Sequence, residues 1–280
     1  VNLAFKNFVR RILPRRVRNF FRSPRLTLRW CANELRPPLD LEIRPGWKLK
    51  CPRHALDVAF RLQLHDPPQV REMDEFIRLV QSLPKVVLLD IGCHFGVFSF
   101  AAAHYGGPAA RALAIDPAGM AQQMVARIVA LNDFSGQVQF RRAAAGAAAG
   151  ELEMVEGGVY AAGYMVLPGD HPASDRTRIE QVTIDQLAAE MPAPPTVIKI
   201  DVESYELEVL RGGRQTLARQ AIVLCLEMHN AMMRARGVEP AAVTSLLGEL
   251  GYTRLMLDGR PLTAAEVTAP DIIRIIARKN

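Results

Sequence analysis

Residues 86–100 read VVLLDIGCHFGVFSF. An apolar run ends in Asp90, a turn carries Gly92 and Gly96, and a second apolar run follows at once. A short continuous apolar run bounded by turn residues predicts a strand buried on both faces. The glycines predict a sharp turn that brings backbone close to a ligand. In open parallel sheets, ligands sit at the carboxyl ends of strands where the strand order reverses. The stretch therefore predicts an α/β fold with a binding site at its turn. Its spacing is G-x-x-x-G, which is neither the dinucleotide G-x-G-x-x-G nor a phosphate loop closing in G-K-S/T. NAD and nucleoside triphosphates are disfavoured on that ground.

Working outward, the pattern alternates. RALAID, QVQFRRAA, TVIKIDV and AIVLCLEMH read as further strands, separated by helical FGVFSFAAAHY, AGMAQQMVARIVALN, VTIDQLAAEM and YELEVLRGGRQTLA. PAAVTSLLGELG reads as a last helix, and TRLMLDG and DIIRIIARK as terminal strands. Strands alternating with helices predict a doubly wound, mostly parallel sheet, here of seven strands with an antiparallel edge strand. AAAGAAAG reads as a hairpin turn joining QVQFRRAA to a short partner, ELEMVE. Residues 157–178 read as a loop, with Tyr160 and Tyr164 inside it.

Upstream, LEIRPGWKLKC and DVAFRLQL read as short strands, and 70–83 as a helix with apolar residues at helical spacing. Residues 1–38 form an arm closed by Pro37-Pro38. The expected organisation is thus an arm (1–38), strands and a helix packing on the core (39–85), and a ligand-binding domain (86–280).

Charge is unevenly placed. Residues 1–30 hold nine basic side chains and no acid; subtracting these nine from the net +6 leaves −3 on the remaining 250 residues. A nucleic-acid protein would spread positive charge over its fold, so no nucleic-acid partner is expected. FKNFVRRIL puts Phe5, Phe8, Val9, Ile12 and Leu13 on one helical face and basic residues on the other. Such a basic amphipathic helix can lie on an anionic membrane surface. The alternative is that its apolar face packs on the protein's own body or on a partner in a homodimer. Four cysteines without metal spacing and no apolar run of about 18 residues fit a cytoplasmic protein, or one peripheral to the inner face of the membrane.

Two further features carry chemistry. Asp116 ends the second strand; a carboxylate there can accept both ribose hydroxyls of an adenosine, or it caps the helix after Pro117. Lys199, Asp201 and Glu203 fall at i, i+2, i+4, on one face of a strand end. Charges in that place need pairing or solvent. They read as ligand-facing groups, or as a lysine–carboxylate pair plus a helix cap.

With DIGCHFG, IDP, LN at Leu131-Asn132, KIDVESYE and LEMH in this order, the chain resembles the FkbM-type S-adenosylmethionine-dependent methyltransferases over roughly residues 70–230. His94 stands where that pattern usually has asparagine, and Ser204 where it usually has glycine. The resemblance implies a Rossmann-like class I methyltransferase fold and S-adenosyl-L-methionine as cofactor. It implies O-methylation of a hydroxyl on a saccharide or glycan-containing acceptor, lipid- or polyketide-linked. Asp90, Gly92, His94, Gly96, Asp116 and Asn132 then fall on the cofactor side. Asp201, Glu203 and His229 fall on the acceptor side, His229 or Asp201 as base and Glu203 as orienting group. No metal is expected; the alternative is a divalent ion on Asp201, Glu227 and His229. The non-enzymatic alternative is a scaffold of the same fold that binds S-adenosylmethionine without turnover.

Overall fold

The computed structural model describes residues 28, 31–56, 60–155 and 176–280. Nearly all of the basic arm and the Tyr160/Tyr164 segment lie outside the described residues. Strands β1 (Leu39–Arg44) and β2 (Trp47–Cys51) form an antiparallel hairpin whose Ile43, Trp47, Leu49 and Cys51 are buried. Arg61–His65 is a short helix, correcting the strand expected for DVAFRLQL. Helix α1 (Pro67–Ser82) follows, started by Asp66, whose carboxylate accepts the Gln69 N–H, and by proline at the first turn.

The remaining elements are β3 (Val87–Ile91), α2 (Val97–Tyr105), β4 (Arg111–Ile115), α3 (Gly119–Leu131), β5 (Val138–Arg141), β6 (Ala144–Ala145), β7 (Gly150–Val155) and β8 (Arg176–Val182). They continue with α4 (Ile184–Glu190), β9 (Val197–Ile200), α5 (Glu206–Arg211), α6 (Arg214–Arg219), β10 (Val223–His229), α7 (Asn230–Ala235), α8 (Ala241–Glu249), β11 (Tyr252–Leu257), β12 (Arg260–Pro261), α9 (Ala264–Thr268) and β13 (Ile272–Lys279).

The main sheet runs β12-β11-β13-β10-β9-β3-β4-β5. β5, β4, β3, β9 and β10 are mutually parallel, and β13 is antiparallel to both neighbours. The seven expected strands are all present; the two-residue β12 adds an eighth, and the antiparallel strand lies inside the sheet, between β10 and β11. The continuous apolar run of β3 is explained by its two covered faces. Leu88 packs with α1, α2 and α3; Val87, Leu89 and Ile91 pack with α4 to α8. Sequence order reverses between β3 and β9, so a crevice opens at their carboxyl ends.

Two local readings change. β7 pairs with β8, a strand absent from the sequence reading, and not with β5. AAAGAAAG is therefore not a hairpin turn: its Ala144–Ala145 forms β6, parallel to β8. The single helix expected over 205–218 is two, α5 and α6, with Asp185 capping the second through the N–H groups of Gln215 and Thr216. Among the described residues, no helix is long and apolar enough to cross a membrane.

Candidate active site

A cavity of about 340 Å3 occupies the crevice. One end is built by the turn after β3. Gly92 has φ +75, and a Cβ on it would lie 1.7 Å from the carbonyl oxygen of Asp201, so the turn presses on the end of β9. The N–H groups of Gly92 and Cys93 are both taken by Ile115 O, which ties the turn to β4. Gly96, at φ +78, starts α2. Asp90 reaches past the turn, and its Oδ2 accepts both the N–H and the hydroxyl of Ser99, at 3.2 and 2.7 Å. Asp116 uses one oxygen for the His94 N–H (2.9 Å) and the other for the Ala118 N–H (2.8 Å). Its capping role is therefore real, and each oxygen keeps a lone pair at the cavity wall.

Burial pushes the Asp90 carboxyl up to about 6 and the Asp116 carboxyl up to about 7. His94 stacks on Phe95 with ring centroids 4.1 Å apart, and burial lowers its pKa to about 4. This end thus offers buried carboxylates, a neutral imidazole and closely packed backbone. Those groups suit a ligand with hydroxyls and a positive charge, as S-adenosylmethionine has.

Asn132 does not belong here. Its amide clasps Lys50, donating to the carbonyl and accepting from the N–H, and also donates to Ile128 O. It pins β2 to α3, outside the cavity lining.

The other end is charged. Asp201 follows β9, and Glu203 sits in a turn at φ +52 rather than on the strand, so the expected i, i+4 alternation stops at Asp201. Both still line the cavity, with Lys199, Glu227, His229 and Arg274. Lys199, 1% exposed, lies 3.0 Å from Glu72 of α1 and 3.8 Å from Asp201 and from Glu227. Burial opposes its charge, but these carboxylates outweigh burial and hold its pKa above the ordinary lysine value. Arg274 bridges Glu72 (2.9 Å) and Glu227 (2.7 Å).

His229 Nδ1 lies 2.9 Å from Oε1 of the fully buried Glu206, and its Nε2 lies 3.8 Å from both Asp201 and Glu227. Burial disfavours the imidazolium, but the Glu206 hydrogen bond and the charges of Asp201, Glu206 and Glu227 outweigh it and raise the pKa to about 9. Burial also pushes Asp201 and Glu203 upward.

Sequence reasoning missed Glu72, Glu206 and Arg274. Glu206 ended the quoted KIDVESYE without being given a role. Arg274 interrupts an apolar strand, which is a usable signal. Glu72 carries none, because charged residues are ordinary on a half-exposed helix.

A family model described as the methyltransferase FkbM domain matches residues 90–254. No curated protein matches the chain. Among solved structures, a methyltransferase FkbM from Methylobacillus flagellatus KT is 17% identical, with a TM-score of 0.47 over 80% of this chain and 53% of that one. This chain therefore spans about half the length of that protein. A precorrin-6y C5,15-methyltransferase from Geobacter metallireducens GS-15 is 10% identical, TM-score 0.44, over 74% of this chain and 87% of that one. An S-adenosylmethionine-dependent O-methyltransferase from Thermotoga maritima is 9% identical, TM-score 0.44, over 75% and 64%.

Proposed function

The chain belongs to the methyltransferase FkbM family and is an S-adenosylmethionine-dependent methyltransferase; on that premise we propose that it methylates a hydroxyl oxygen of a saccharide or glycan-containing acceptor. The observation that carries the reading is one cavity with two unlike ends, a glycine turn with two buried acids and a carboxylate–histidine cluster.

When bound, S-adenosylmethionine supplies an electrophilic methyl group on a sulfonium. Asp116 takes the ribose hydroxyls on its remaining lone pairs, and the Gly92–Gly96 turn holds the rest of the cofactor against the sheet. A sugar hydroxyl is a weak nucleophile and needs its proton removed as the bond to carbon forms. Asp201 takes that proton, with the charged His229 3.8 Å away favouring its ionised form, and Glu203 orients the acceptor. Much of the remaining acceleration is alignment of the reacting atoms. Leu62 and Ile272 also line the cavity, 52% and 48% exposed, and supply apolar surface for a lipid- or polyketide-linked acceptor.

The test uses cofactor with an isotopically labelled methyl and a panel of hydroxylated glycans, free and lipid-linked. Label is expected on oxygen, with linked acceptors preferred. Asp201→Asn is expected to bind S-adenosylhomocysteine normally and transfer no methyl. Label on nitrogen or carbon, or full activity in the variant, would overturn the reading.

A further inference from the structure

We propose that Asp201, Glu227 and His229 hold a divalent metal ion at the charged end of the cavity. One donor atom from each lies within 4.8 Å of the other two. His229 Nε2 stands 3.8 Å from Asp201 Oδ1 and 3.8 Å from Glu227 Oε1. Those gaps are too long for hydrogen bonds. They suit ligands sharing one ion at about 2.0–2.3 Å from each.

Three observations point to an ion here. The first is orientation: the Glu206 carboxylate holds His229 by Nδ1 at 2.9 Å and leaves Nε2 facing the two carboxylates. A histidine ligand is ordinarily fixed in this way by a carboxylate on its other nitrogen. The second is an unsatisfied atom. His229 is 5% exposed and lines the cavity, and among the described residues its Nε2 has no hydrogen-bond partner, the nearest carboxylate oxygens being 3.8 Å away. A buried polar atom without a partner is costly.

The third is the charge balance. Among the described residues, Glu72, Asp201, Glu203, Glu206 and Glu227 face only Lys199 and Arg274 as permanent cations. A divalent ion offsets part of that excess of carboxylates over cations. Lys199 does not take the ion's place, because Glu72 holds it at 3.0 Å and it faces Asp201 Oδ2 and Glu227 Oε2. His229 faces the other oxygen of each.

Two oxygens and one imidazole nitrogen suit Mn2+ and its neighbours better than an all-oxygen Mg2+ cage. At this end the ion would bind the acceptor hydroxyl and lower its pKa. The proton then leaves to solvent or to a neighbouring carboxylate. The oxygen attacks the methyl carbon, and the carbon–sulfur electron pair stays on sulfur. This use of the ion rests on the methyltransferase reading; the binding does not.

The test titrates the full chain with Mn2+, without cofactor, and follows free ion by electron paramagnetic resonance. One ion per chain is expected. Pulsed spectra of the wild type should show coupling to one imidazole nitrogen, a readout that needs no variant. His229→Ala should abolish that coupling and weaken binding at least about tenfold; Glu206→Gln should keep the coupling and weaken binding about tenfold. No bound Mn2+ at millimolar concentration, no nitrogen coupling, or coupling that survives in folded His229→Ala overturns the proposal. A site that binds Mn2+ in a protein that methylates no hydroxyl overturns the acceptor reading and leaves the metal site standing.

Discussion

The two ends of the cavity solve one problem, buried charge, by opposite means. At the glycine turn, Asp90 and Asp116 are stabilised by backbone N–H groups and one hydroxyl; among the described residues neither has an ion pair. Their carboxyls drift toward neutrality, to about 6 and about 7. At the charged end, Lys199, Arg274 and His229 interleave with Glu72, Asp201, Glu206 and Glu227, and each cation is held in its charged form. One end is poised to give its acceptor capacity to a hydroxylated ligand. The other keeps fixed charge where a proton must move. Gly92 joins them, because its turn abuts the backbone of Asp201.

The hardest blow to this division is Gly92→Ala. The new methyl would sit 1.7 Å from a backbone carbonyl, at φ +75. Neither obstacle can be relieved by a side-chain rotation, so β3 and β9 must separate. A loss of more than about 4 kcal/mol is expected, with both ends of the cavity lost together. Calorimetric melting decides: a wild-type Tm would mean that the two ends are not coupled through this contact.

Lys199→Met should injure one end only. Removing one partner of a buried ion cluster typically costs about 3–5 kcal/mol, because the acids left behind have no compensation. Glu72 and Glu227 are those acids, 10% and 4% exposed at the side chain. Urea unfolding should show the loss, while the surviving folded protein binds S-adenosylhomocysteine as before. Equal damage to cofactor affinity would dissolve the distinction between the ends.

How visible each end was in the sequence follows from the same difference. The glycine turn is local: Asp90, Gly92, His94, Gly96 and Asp116 fall within one strand–helix–strand unit, and the chain announces them. Asn132 was assigned to that end by resemblance alone, and the structure gives it to Lys50. The charged end is assembled from α1, β9, β10 and β13, so only 199–206 and 227–229 stood out as strings. Glu72 was invisible because nothing local distinguishes a helix glutamate that meets solvent from one that meets a buried lysine. The mostly parallel sheet could be anticipated from alternation, but not the place of the antiparallel strand inside it. The β7–β8 pairing could not, since β8 was hidden in a polar stretch with no apolar period.

Asp116 sharpens the other side. Its carboxylate must be ionised to accept from two ribose hydroxyls while holding two N–H groups. With its carboxyl raised to about 7 by burial, cofactor-product affinity should rise with pH through that value and fall below it. The ligand-free protein shows the opposite sign. The folded-state pKa lies above the ordinary 3.8, so this group's contribution to stability is lost as pH rises from about 4 to about 7. Asp116→Asn should lower S-adenosylhomocysteine affinity at least about tenfold, equivalent to about 1.4 kcal/mol, and flatten the pH profile. Calorimetric titration at several pH values measures both. A flat wild-type profile would place the cofactor's hydroxyls elsewhere.

The smallest effect concerns the two departures from the family pattern. His94 and Ser204 stand where asparagine and glycine are usual, and both adopt positive φ, +49 and +87. The turns keep their shape although the residues that adopt it most easily are gone. A non-glycine residue in this region carries about 1–2 kcal/mol of strain. Ser204→Gly removes that strain. It also loses a hydroxyl 3.5 Å from Arg236 and frees the unfolded chain, which offsets about 0.5–1 kcal/mol. The net expectation is a gain of about 0.5 kcal/mol, or a Tm higher by about 1–2 °C. The backbone bonds of Ser204, its N–H to Glu206 and its carbonyl from Arg236, do not depend on the side chain. Glu206 should therefore still hold His229, and methyl transfer should be unchanged. A lower Tm would show that the Arg236–hydroxyl contact outweighs the strain. A changed rate at unchanged stability would show that the strained serine tunes the charged end through Glu206.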